Sequence, residues 1–153
     1  MRSVSMRTGL LMVVSAPFLL NGCASRQTPI ERAVKAPAFQ LALNGSSNVP
    51  VGDPDGSGSA RISIEEASNT ICIVLSTTNL SPIDLAHIHR GGAGQVGPVV
   101  VPVDPPDRNP NDDCKLVNNA LLQEIRSDPD AFYIDVHSTE YPRGAIRGQL
   151  PRS

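Results

Sequence analysis

The sequence has no Trp, and aromatic residues make up only 3% of its 153 positions. Any core must therefore be filled by Val, Ile and Leu, which suits a small aliphatic β-fold. It also lacks a basic tract: 13 Lys+Arg stand against 15 Asp+Glu, a net charge of −2. A sequence-independent nucleic-acid binder needs clustered Lys/Arg to displace counterions, so nucleic acid is not an expected partner. No apolar run approaches the roughly 20 residues that a membrane-spanning helix requires. General disorder is excluded by 40% hydrophobic content at low net charge. The length predicts one domain. Cys and His each occur only three times, and the question is what these few residues do.

The first of them lies near the start. Arg2 and Arg7 precede the apolar run Gly9–Leu20, which has the make-up of a secretory signal peptide over residues 1–22. Leu20-Asn21-Gly22-Cys23 then resembles the bacterial lipobox, Leu-x-Gly-Cys. There the chain is cut before the Cys and its thiol receives a diacylglycerol. This implies a lipoprotein of the bacterial cell envelope, exported across the inner membrane and anchored through Cys23. Ala24 stands where an inner-membrane retention signal has Asp, so the outer membrane is the expected anchor where there are two. Without Arg2 and Arg7, 11 basic residues face 15 acidic ones, a charge near −4. Residues 23–38, with Pro29, Pro37 and mixed charges, read as a lipidated tether. The domain then runs from 39 to 153.

With Cys23 modified, Cys72 and Cys114 remain. Two cysteines in an exported domain most simply pair. A metal-thiolate reading lacks a CxxC spacing and suits an oxidising compartment poorly.

From Phe39 onward, short β-prone runs alternate with turn chemistry. They are Phe39–Leu43, Gly58–Glu65, Thr70–Thr77, Leu85–Arg90, Val96–Val103, Phe132–His137 and Ala145–Leu150. Ala60, Ile62 and Ile64 point inward with Arg61 and Ser63 outward; Ile71, Ile73 and Leu75 point inward. Asn118 can cap one helix carrying Leu121, Leu122 and Ile125, which Asp128-Pro129 ends. About seven strands and one short helix, without βαβ alternation, predict an all-β antiparallel sandwich or flattened barrel. Asp104, Asp107, Asp112 and Asp113 lie in a Pro/Asn-rich stretch without the EF-hand pattern and read as a solvated loop. Gly91-Gly92-Ala93-Gly94 lacks a phosphate loop's Gly-Lys-Ser/Thr ending. It reads as a segment that lets backbone pass close to the histidines. No nucleophile triad can be singled out.

His87 and His89, two apart on a strand, share one face, and Ala86 and Ile88 share the other. In Phe132–His137, Ile134 and Val136 favour the core and leave Tyr133, Asp135 and His137 opposite. All three histidines can therefore lie on outward faces, where strand pairing would gather them. Three imidazoles form a site for copper or zinc. Equally, hydrogen bonds to Asp84, Asp135 or backbone carbonyls would hold them as structural residues. Arg143 and Arg147 can contact an anionic ligand or partner, or pair with Glu140 and Asp135.

Ala86-His87-Ile88-His89-Arg90-Gly91, Gly97-Pro98-Val99-Val100-Val101, Tyr133–His137 and Tyr141–Leu150 resemble the blocks of the CHRD domain. That domain is named from the growth-factor antagonist chordin and is widespread in bacterial secreted proteins. Leu43-Asn44-Gly45 to Val49-Pro50 resembles its opening block. The resemblance implies an immunoglobulin-like β-sandwich or barrel and an extracellular or envelope protein partner. The order His-x-His, Val-His, Arg is also similar to copper-zinc superoxide dismutase. Residue by residue, that similarity implies His87, His89 and His137 as copper ligands and Arg147 as an anion guide. The chain departs from it in having no fourth His to bridge copper to zinc. The leading expectation is thus a binding module, for copper or zinc or for a protein, and the rival is a dismutase-type redox enzyme.

Overall fold

The computed structural model describes residues 38–80, 82–106 and 112–152. The expected signal peptide, Cys23 and the tether up to residue 37 lie outside the described residues; Ala38, the tether's last residue, opens the first strand. The elements are β1 (Ala38–Asn44), β2 (Ser57–Glu65), β3 (Thr70–Thr78), β4 (Ile83–Arg90), β5 (Val99–Val103), β6 (Asp112–Leu116), α1 (Asn119–Ser127), β7 (Phe132–Ser138) and β8 (Ile146–Gln149). Every pairing among the described residues is antiparallel, in the order β5-β4-β7-β8-β1-β2-β3-β6. The two ends of this sheet approach each other. The Asp104 amide donates to Asp113 Oδ2 (2.8 Å), and Lys115 Nζ lies 2.9 Å from Asp113 and 3.3 Å from Asp104. The fold is a nearly closed, all-β antiparallel barrel with one short helix, as its alternation predicts.

Side-chain period decides what fills it. Ala60 and Ile62 of β2, Ile71, Ile73 and Leu75 of β3, Ala86 and Ile88 of β4, and Ile134 and Val136 of β7 are all buried in one core. Burying each of the larger ones contributes about 1.5–3 kcal/mol. Helix α1 begins where Asn118 Oδ1 accepts from the Leu121 amide (2.8 Å), a cap for an otherwise orphaned donor. It lays the fully buried Leu122 and Ile125 inward and ends at Asp128. Its outer face is tied to the barrel by Arg90–Glu124 and Arg126–Glu66 ion pairs.

Several expectations need correction. Asp112–Leu116 is not a loop but β6, and Asp113 and Asp104 hold the barrel seam through Lys115. Asp107 lies outside the described residues. Ser63 does not face water: it is 4% exposed and its hydroxyl donates to Cys72 O (3.4 Å). The run expected over Val96–Val103 enters the strand only at Val99: Pro98 has no N–H to give to β4, although its carbonyl accepts from the Arg90 amide. Arg143 lies exposed in the turn before β8. Cys72 and Cys114 stand directly opposite in the β3–β6 register and form the disulfide.

Candidate metal centre

The face of β4 and β7 turned away from the core carries the polar residues. In register, His87 stands opposite Asp135, His89 opposite Tyr133, and Leu85 opposite His137. The next strand places Arg147 opposite Asp135 and Gln149 opposite Tyr133. Outward does not mean exposed here. His89 is 9% and Asp135 4% accessible, and His87 and His137 are half-buried. Segments outside the strands supply the burial: residues 91–98 touch His89 and the 139–145 turn touches His137.

Four ligand atoms converge, one each from His87, His89, Asp135 and His137, all within 4.8 Å of one another. Asp135 Oδ1 lies 3.1 Å from His89 Nε2, 3.3 Å from His137 Nε2 and 3.8 Å from His87 Nδ1. His87 Nδ1 is 3.4 Å from His137 Nε2. Donors bound tetrahedrally at about 2.0 Å stand about 3.3 Å apart, so three of these separations already match one ion's shell.

The ring tautomers follow from backbone partners. A carbonyl can only accept, so the Nδ1–H of His89 donates to Gly97 O (2.8 Å) and that of His137 to Pro142 O (3.1 Å). The neutral rings then turn their Nε2 lone pairs toward Asp135, with the outer nitrogen fixed as in metal-ligating histidines. His89 Nε2 and Asp135 Oδ1 are buried and neither makes a hydrogen bond. Their 3.1 Å separation is an ion-pair contact when the ring is protonated. With the ring neutral, two buried lone pairs face each other, which is costly; a proton on the ring or a metal cation between them removes the cost.

The charges agree. Burial pushes the Asp135 carboxyl up, but His137 and His89 outweigh it and hold the pKa at about 2. Asp135 raises the His137 pKa against burial. For His89, burial pulls down, but Asp135 and the Gly97 carbonyl together carry the pKa above its ordinary value. His87 is the exception: burial lowers its pKa, and Asp135 only partly offsets this against the other two rings. The cluster therefore holds a permanent carboxylate among rings that attract positive charge.

Two glycines make the backbone contacts possible. A Cβ on Gly97 would stand 1.5 Å from Arg90 O, so only glycine fits there and brings its own carbonyl to His89. Gly144, at φ 115°, closes the turn that carries Pro142. Behind His89 lies a stack: Tyr133 parallel at 4.8 Å, then the Arg147 guanidinium 3.4 Å over the Tyr133 ring. The Tyr133 hydroxyl accepts from the Gly97 amide (3.2 Å). Arg147 donates to Gln95 O (2.6 Å) and Gly92 O (2.8 Å), pinning the glycine segment.

A family model for the CHRD domain matches residues 39–150. The chain belongs to the CHRD domain family. No curated protein and no solved structure matches, so the likeness to superoxide dismutase rests on the order of residues alone. In this CHRD domain the four resembling segments meet at one place. Ala86–Gly91 brings His87 and His89, and Gly97–Val101 brings the Gly97 carbonyl. Tyr133–His137 brings Asp135 and His137, while Tyr141–Leu150 brings Pro142, Gly144 and Arg147. The structure gathers the three expected histidines and adds Asp135, expected only as a hydrogen-bond partner, as a fourth donor. The signal was there: Asp135-x-His137 repeats the spacing of His87-x-His89 on the neighbouring strand. Arg147 is engaged with carbonyls and Tyr133, and Arg143 is not part of the cluster.

Proposed function

We propose that this CHRD domain is a binding module for one transition-metal ion, zinc or copper, held by His87, His89, His137 and Asp135. The observation that carries the reading is the pair of buried, unbonded atoms His89 Nε2 and Asp135 Oδ1, flanked by two more donors within 4.8 Å. Imidazole and carboxylate without sulfur suit a divalent ion. Four protein donors complete a tetrahedral shell, the arrangement of a site that holds its ion rather than one that leaves a position open for substrate. Binding to the folded state alone must stabilise it. At free zinc about 100 times the dissociation constant, unfolding should become harder by about 2.7 kcal/mol relative to the metal-free protein. Calorimetric or spectroscopic melting with and without zinc or copper(II) checks this. A melting temperature indifferent to both metals would remove the reading.

We further propose that the module works outside the cytoplasm, lipid-anchored through Cys23. The Leu20–Cys23 motif and the Cys72–Cys114 disulfide support this, since disulfides persist in oxidising compartments. Cys23→Ser is expected to move the protein from the membrane to the soluble fraction of the producing cells. Unchanged fractionation would count against the anchor.

A further inference from the structure

The three imidazoles of the cluster are not held alike. His89 and His137 each give their Nδ1–H to a backbone carbonyl, Gly97 O at 2.8 Å and Pro142 O at 3.1 Å, which fixes both neutral rings with a bare Nε2. Among the described residues no carbonyl anchors His87. Its Nδ1 lies 3.4 Å from His137 Nε2 and 3.8 Å from Asp135 Oδ1, the longest of the three histidine–carboxylate separations. With His137 neutral, its Nε2 carries no proton, so the hydrogen bond between the two rings is donated by His87 Nδ1. Two rings thus stand ready as ligands without metal. The third is turned as a donor and must lose that proton from Nδ1 before it can ligate there.

The cover is uneven too. Residues 91–98 touch His89 and the 139–145 turn touches His137, but among the described residues no segment outside the sheet makes a hydrogen bond to His87. Its cross-strand neighbour on β5, Pro102, is exposed. Leu85, two residues before it on the same face, is 54% exposed. The His87 side chain is the most accessible of the three, at 17% against 14% for His137 and 11% for His89.

We propose that His87 is the exchange ligand of this centre: the ion enters and leaves past it, and an imidazole from outside takes the position it vacates. The inference rests on the metal reading above and adds the route by which the ion moves. A ring without a backbone anchor can swing by rotation about its own side-chain torsions. His89 and His137, tied to the backbone, and Asp135, with its negative charge, keep the ion meanwhile. One bond from His87 to the ion breaks as one bond from the incoming nitrogen forms. Both imidazoles stay neutral, so neither a proton nor an electron has to move. A full shell that holds its ion at rest can therefore still hand it on, because one ligand alone gives way.

The test uses the purified domain loaded with equimolar copper(II), whose visible absorption reports its ligands, with imidazole as the incoming donor and EDTA as the sink. His87→Ala should keep the ion and shift its absorption saturably when imidazole is added. It should also yield the ion to EDTA at least about tenfold faster than the native protein, since lost affinity shows mainly in release. His137→Ala should give no such shift, because the 139–145 turn packs against that position. In the native protein, imidazole should speed release in proportion to its concentration, the mark of a donor entering as His87 leaves. If His87→Ala fails to fold, the native release rates alone decide. The proposal is overturned if His87→Ala loses its copper, if His137→Ala takes up imidazole equally well, or if native release ignores imidazole. A native protein that takes up no metal fails the reading beneath the inference and the inference with it. One that holds copper and releases it without regard to imidazole overturns the inference alone.

Discussion

Asp135→Asn is expected to weaken zinc or copper binding by at least about 100-fold, beyond the 10- to 100-fold typical of losing an outer-shell partner. Asp135 supplies the one anionic donor and lies within 3.8 Å of a nitrogen from each of the three histidines. Titration calorimetry against a competing chelator reads the loss. The same variant has a second signature without metal. The carboxylate raises the His89 and His137 pKa values, so its neutral isostere should lower both, read by NMR titration of the ring protons. An unchanged affinity would show that Asp135 only props the rings, and unchanged ring titrations would show that its charge does not govern them. The pH dependence has a definite sign. Asp135 has its folded pKa depressed to about 2 from an ordinary 3.8. Its contribution to metal-free stability is thus complete above the unfolded value and is lost as pH falls toward about 2.

Opening the Cys72–Cys114 bridge is the second large effect. The cysteines are 42 residues apart in sequence, and closing a loop of that length contributes about 4 kcal/mol in the chain-entropy model. That is a large share of the roughly 5–15 kcal/mol by which a domain is usually stable. Urea unfolding of the Cys72→Ser/Cys114→Ser variant, with the oxidised protein as reference, measures it. Hydrogen exchange should show β6 opening first, because among the described residues β3 is its one paired neighbour and its seam to β5 rests on Asp104, Asp113 and Lys115. Metal affinity should hold nearly constant, since the four donors sit on β4 and β7, away from β3 and β6 in the sheet order. A loss below about 1 kcal/mol would mean that the seam, not the bridge, fixes that edge.

These two predictions also separate what was legible in the sequence from what was not. Strands β1, β2, β4 and β7 could be read because each alternates its side chains against one core, β3 because it is a short β-branched apolar run, and α1 because Asn118, Leu122 and Ile125 have helical spacing. Strand β6, Asp-Asp-Cys-Lys-Leu, has no such signature: Leu116 is 79% exposed, and the strand is held by a disulfide and an ionic seam rather than by buried side chains. Period 2 placed the three histidines on one side of the sheet. It could not reveal their burial, because the cover comes from residues 91–98 and 139–145, whose course depends on tertiary hydrogen bonds to His89, Tyr133, Arg147 and His137. Asp135 was seen as a neighbour and not as a donor for a related reason. Its role depends on the β4–β7 register, which sets it opposite His87, and register is a property of the pair of strands and not of either alone.

The most direct test of the central claim is the metal content of the purified domain, measured by elemental mass spectrometry after purification without chelators and exposure to equimolar zinc or copper(II). The account predicts one ion per chain in the native protein and its loss in His87→Ala/His89→Ala, which keeps Asp135 and His137 but halves the donor set. A native protein that emerges free of metal, or a double variant that retains a full equivalent, would contradict it.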